Sequence, residues 1–94
     1  MMNPADCELC AAAPITTRWW DDETCWVAEC ESCGVPMVVW KVHGVEPPPA
    51  LRAVLLERLC AVADVHGPAD YWIDERLRSI PDHFHAHARR RRWG

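Results

Sequence analysis

No apolar run approaches the roughly 18 residues that a membrane-crossing helix requires, so no membrane contact is expected. The opening residues, MMNPADCELC, hold neither a basic stretch nor an apolar core of the kind that export signals carry. The expectation is a cytoplasmic protein whose thiols stay reduced. Internal repeats are absent. So is an excess of positive charge: 10 Lys and Arg stand against 14 Asp and Glu, a formal net charge of -4. That balance excludes a broad cationic surface for a nucleic-acid duplex. At 94 residues the chain is too short for a two-domain enzyme and suits one small domain spanning residues 1–94. Half the residues are hydrophobic, and six are tryptophan, which argues for a packed core over disorder. The charge is also uneven, because the only basic residues before position 47 are Arg18 and Lys41.

Proline, glycine and polar clusters divide the chain. Ile15 to Trp20 is β-branched and aromatic and stops at Asp21-Asp22-Glu23, which reads as a strand and a turn. Cys25 to Glu29 reads as a second strand, Glu31 to Gly34 as a turn, and Pro36 to Val42 as a third strand. Pro47 to Pro49 can begin a helix but not lie inside one. The apolar residues Leu51, Val54, Leu55, Leu59, Val62 and Ala63 fall at helical spacing until Gly67-Pro68 ends the run. Tyr71-Trp72-Ile73 and the alternating segment from Ile80 to Ala88 read as two more strands. The expected fold is α+β: an antiparallel sheet in the order βββαββ, one main helix packed on one face, and a zinc-ribbon-like meander at the start.

Cys7-x2-Cys10 and Cys30-x2-Cys33, nineteen residues apart, have the spacing of two zinc knuckles within residues 5–36. Two thiolates separated by two residues can reach one ion at about 2.3 Å, and two such pairs close a tetrahedron. Cys7, Cys10, Cys30 and Cys33 are therefore expected to hold a structural zinc ion, with disulfides or inert thiols as the competing reading. Cys25 and Cys60 read as small buried hydrophobes.

His83, His85 and His87 occupy alternate positions, so an extended backbone would turn all three imidazoles to one side, looking into a shared open cavity. Imidazole titrates near pH 6.5 and can attack phosphorus or donate a proton. Here the chain resembles the histidine-triad superfamily, whose signature is His-φ-His-φ-His-φ-φ with φ apolar. Phe84, Ala86 and Ala88 fill the first three φ positions, and Arg89 departs from the fourth. Asp21-Asp22 between strands, Lys41-x-His43, the single helix and Ser79-Ile80-Pro81 are similar to that family's layout. Where the family carries a Gly-rich, Gln-containing stretch, this chain has Glu75-Arg76-Leu77-Arg78.

The resemblance implies a nucleotide-binding protein acting as a hydrolase or nucleotidyltransferase at an α-phosphate, with His85 as nucleophile and His87 and His83 assisting. His43, Arg76, Arg78 and Ser79 would then contact the nucleotide or another small phosphate ligand. In zinc-containing relatives an N-terminal CxxC shares its ion with histidines that match His43 and His83, which leaves open whether either replaces a cysteine here. A homodimer also follows from the resemblance. The alternative is a non-catalytic zinc-ribbon module that binds a protein partner, or nucleic acid through the basic tail, residues 89–94, with Arg89 to Arg92 on phosphates and Trp93 on a base. For the histidines alone, an inert His-rich strand is the competing reading.

Overall fold

The computed structural model describes residues 17–30, 34–76 and 83–91. Within them lie five strands, β1 (Arg18–Asp21), β2 (Cys25–Glu29), β3 (Pro36–Trp40), β4 (Tyr71–Asp74) and β5 (His85–Arg90), and one helix, α1 (Pro49–His66), between β3 and β4. The strands form one antiparallel sheet in the order β1-β2-β3-β5-β4. The expectation of a small α+β protein with one helix and an antiparallel sheet holds among the described residues. None of their helices is long and apolar enough to cross a membrane.

The tight β1–β2 turn is built by Asp22, whose Oδ1 accepts the N–H groups of Thr24 and Cys25 at 2.8 and 2.9 Å. A short polar side chain that bonds its own backbone two or three residues on favours such turns. β1 carries an irregularity between Arg18 and Trp20, so its two tryptophans divide their roles. Trp19 packs against the core and stacks on His66 at the helix end, whereas Trp20 is exposed.

Helix α1 starts where the prolines allow it, with Pro49 at its first position and Arg52 N–H bonded to Pro48 O. It stops at Gly67, whose N–H returns to Ala63 O at 2.9 Å. A Cβ at Gly67 would stand 2.8 Å from that same carbonyl oxygen, so only glycine passes so close.

Alternation along the strands separates two faces. Cys25 and Val27 of β2, Val38 of β3 and Ala86 and Ala88 of β5 point toward α1, where Leu55, Leu59, Val62 and Ala63 meet them with Phe84. The opposite face carries Trp26 and Ala28, Met37 and Val39, His85 and His87, and Asp74, as the cross-strand pairs Trp26↔Val39, Val39↔His85, Met37↔His87 and Asp74↔His87 require.

β1 takes in Asp21, expected in the turn, and β4 extends one residue to Asp74; three further boundaries differ from the sequence reading. β3 ends at Trp40, and residues 41–45 bend away, with the Lys41 N–H still bonded to Thr24 O at 2.9 Å. β5 begins at His85, so His83 and Phe84 precede it, and Ile80 to Asp82 lie outside the described residues. At its other end β5 runs on through Arg89 and Arg90, which pair with Trp72 and Tyr71. These two arginines are sheet residues and not part of a loose tail.

Candidate functional site

β5 lies between β3 and β4, and its position brings the histidines into the middle of the sheet. His85 and His87, two residues apart in one strand, share the face away from the helix, their ring centroids 5.5 Å apart and nearly perpendicular. His83 does not extend that row. Its Nε2 donates to Trp40 O at 2.5 Å, and its ring meets the edge of His43 at 5.4 Å. With His43 the rings thus form two pairs, His43 with His83 and His85 with His87.

One backbone contact joins the pairs. His85 Nδ1 lies 2.9 Å from His83 O. A carbonyl oxygen only accepts, so the ring nitrogen donates and the proton sits on Nδ1. The lone pair then falls on Nε2. Burial lowers the pKa of both His83 and His85, partly offset by these backbone bonds. Both are therefore neutral near pH 7, the form in which an imidazole is nucleophilic.

The rings are not open to solvent. His83, His85 and His87 are 0%, 3% and 5% exposed, which corrects the expectation of a shared, open cavity. The alternation predicts the shared face of His85 and His87, but it carries no information about what lies over that face. His87 Nδ1 is buried without a hydrogen-bond partner among the described residues. A groove of about 670 Å³ lined by Val45, Pro47, Pro49, Arg52, Glu75 and Phe84 opens beside the helix start, where Arg52 and Glu75 form a two-pronged ion pair.

Asp74 is the site residue that sequence reasoning missed. It is 1% exposed and sits across from His87 in the ladder. Its Oδ2 accepts from Arg89 Nε at 2.6 Å, and its Oδ1 accepts from Arg76 N–H at 3.0 Å. Arg76 itself is exposed. Arg78 and Ser79 lie outside the described residues. Arg91 is held by Asp70 and the Tyr71 carbonyl, and Arg92 and Trp93 lie outside the described residues. Two arginines expected to reach for nucleic acid, Arg89 and Arg91, are thus engaged by carboxylates.

Of the four proposed zinc ligands, Cys7, Cys10 and Cys33 lie outside the described residues. Cys30 is buried directly after β2. Its N–H donates to Val35 O, and its C=O accepts from Gly34 N–H, both at 2.8 Å. Gly34 has φ of 71°, a left-handed conformation suited to the tight turn at a Cys-x2-Cys-Gly spacing. A buried thiol at such a corner fits a structural zinc ligand. His83 is bonded to Trp40, at the far end of β3 from the Cys30–Val35 corner. At the rise of an extended strand the two are roughly 16 Å apart, too far for one ion with ligand bonds of about 2.0–2.3 Å. An ion on Cys30 therefore does not take His43 or His83.

No model of a known protein family matches the chain, and no curated protein matches it at a significant level.

Proposed function

We propose that this chain is a histidine-triad-like nucleotide-binding protein in which His85 is the nucleophile toward a nucleotide α-phosphate. The observation that carries the reading is the His85 Nδ1–H to His83 carbonyl bond. It fixes the tautomer and leaves Nε2 as the attacking atom of a neutral imidazole. Attack would form a phosphorus–nitrogen bond to His85 and break the bond to the leaving group, which takes a proton, with His87 on the same face as its nearest imidazole. Water would then cleave the phosphorus–nitrogen bond and release the nucleoside monophosphate. A zinc ion on Cys30 together with Cys7, Cys10 and Cys33 would be structural in this reading. It would tie the β2–β3 corner to the segment before β1 and contribute to folding, taking no part in the chemistry.

Because the rings are buried, substrate must displace what covers them or enter along the strand, and turnover is the decisive measurement. The zinc-loaded protein, incubated with a nucleoside phosphoramidate, should release the nucleoside monophosphate and carry a nucleotidyl group on His85 detectable by mass spectrometry. His85→Ala should abolish both while keeping the circular dichroism spectrum and metal content. A parent protein that turns over neither phosphoramidates nor dinucleotides refutes the reading.

A further inference from the structure

Alternate residues of a strand share a face, so the face that carries His85 and His87 continues to the next odd position of β5, Arg89. The row is two imidazoles, their ring centroids 5.5 Å apart, followed by a guanidinium. It grades from buried to open: His85 and His87 are 3% and 5% exposed, while the Arg89 side chain is 22% exposed. Arg89 is fixed by Asp74, whose carboxylate is itself buried and stands across the ladder from His87. Guanidinium groups match phosphate oxygens in planar, two-pronged contacts. The Nδ1 of His87, on the same face and without a partner among the described residues, is a second polar atom that a phosphate oxygen or hydroxyl could satisfy.

We infer that Arg89 is the anion-binding residue of the histidine face and that Asp74 is a positioning residue, holding the guanidinium beside His87 where it meets the phosphate of an incoming ligand. The inference rests on the phosphate reading of the site for its ligand, not on His85 being a nucleophile. Arg89 is the outermost polar group of the row, so it engages the anion first. Its bond to Asp74 keeps a buried carboxylate from repelling that anion. A lysine could supply the charge but not the planar contact.

The test is a calorimetric titration of the full, zinc-loaded chain with inorganic pyrophosphate, with nucleotidyl transfer to His85 read in parallel. Arg89→Gln should weaken pyrophosphate binding at least tenfold. Arg90→Gln, the same charge change at the neighbouring position on the other face of β5, should change it less than twofold. Arg89→Lys should retain part of the affinity. Asp74→Asn should weaken binding through loss of placement. The double variant Asp74→Asn with Arg89→Gln leaves no orphaned buried charge, so it should melt near the parent temperature and still fail to bind. Equal effects of Arg89→Gln and Arg90→Gln, or a parent that does not bind millimolar pyrophosphate, overturn the inference. So does nucleotidyl transfer whose KM is unchanged in Arg89→Gln, and that result leaves the nucleophile reading standing. Arg89-dependent pyrophosphate binding without any His85 adduct supports the anion site and removes the nucleophile.

Discussion

Asp22 is the most heavily bonded exposed-edge carboxylate described in this sheet, and acid should reveal what it contributes. Its Oδ2 accepts from Trp20 Nε1 at 2.7 Å, its Oδ1 from the Thr24 and Cys25 amides, and Arg58 Nε stands 3.5 Å away. The Trp20 indole bond first, then the Cys25 amide, lowers its pKa from 3.8 to about 2, against a smaller opposing effect of burial. The folded state therefore binds this proton less readily than the unfolded chain. The stabilisation is fully present above the unfolded pKa of about 4, is lost as pH falls through about 2, and is absent below both. Just under two pH units at 1.36 kcal/mol each gives about 2.4 kcal/mol at most. With 31% of the side chain exposed, solvent screening brings this to about 1–2 kcal/mol. Asp22→Asn keeps an acceptor for the two amides and removes the charge. Urea unfolding followed by tryptophan fluorescence should find the variant less stable by about 1–2 kcal/mol at pH 6, with the gap closing between pH 4 and pH 2. Any bound metal leaves parent and variant alike at low pH, so the difference isolates Asp22. A gap that stays constant from pH 6 to pH 2 refutes the reasoning.

Leu59 is fully buried between α1 and the sheet, so Leu59→Ala should lower the unfolding free energy by about 2–5 kcal/mol in the same urea assay. Gly67→Ala forces a methyl group against Ala63 O and should cost about 1–3 kcal/mol, read as a fall in melting temperature. Burial first, and then the Asp22 charge, pushes the Cys25 thiol up to about 11. At pH 8 it should resist iodoacetamide in the folded protein and react once urea unfolds the chain, as mass spectrometry of the Cys25 peptide would show.

The sequence is legible where one local rule suffices. β2 matches its expected span because Asp22 and the polar residues beside it punctuate a buried run, and α1 matches because three prolines and Gly67 bracket a helical period. Legibility fails where pairing decides. Alternation through Ile80 to Ala88 shows which residues share a side of an extended chain, but a strand also needs a neighbour to bond, and β3 offers Met37, Val38 and Val39 to His87, Ala86 and His85. Arg89 and Arg90 look like solvated charge beside two more arginines. Only the ladder with β4 shows Arg89 meeting a carboxylate. Asp74 carries no motif, so nothing in the chain singles it out until the register sets it opposite His87. The parting of His83 from His85 and His87 likewise depends on Trp40 and His43, forty or more positions from His83 in the sequence.

The strand order has a consequence for synthesis. β1, β2 and β3 can fold against one another as soon as they emerge, since each bonds its neighbour in sequence. β4 cannot join them, because the strand that links it to β3 is β5, made after it. Until β5 leaves the ribosome, the free edge of β3 presents unpaired amide and carbonyl groups beside Val38 and Val39, an invitation to strands of other nascent chains. The histidine-bearing segment thus doubles as the keystone of the sheet, and a chain stalled before it should be more prone to clump than one released complete.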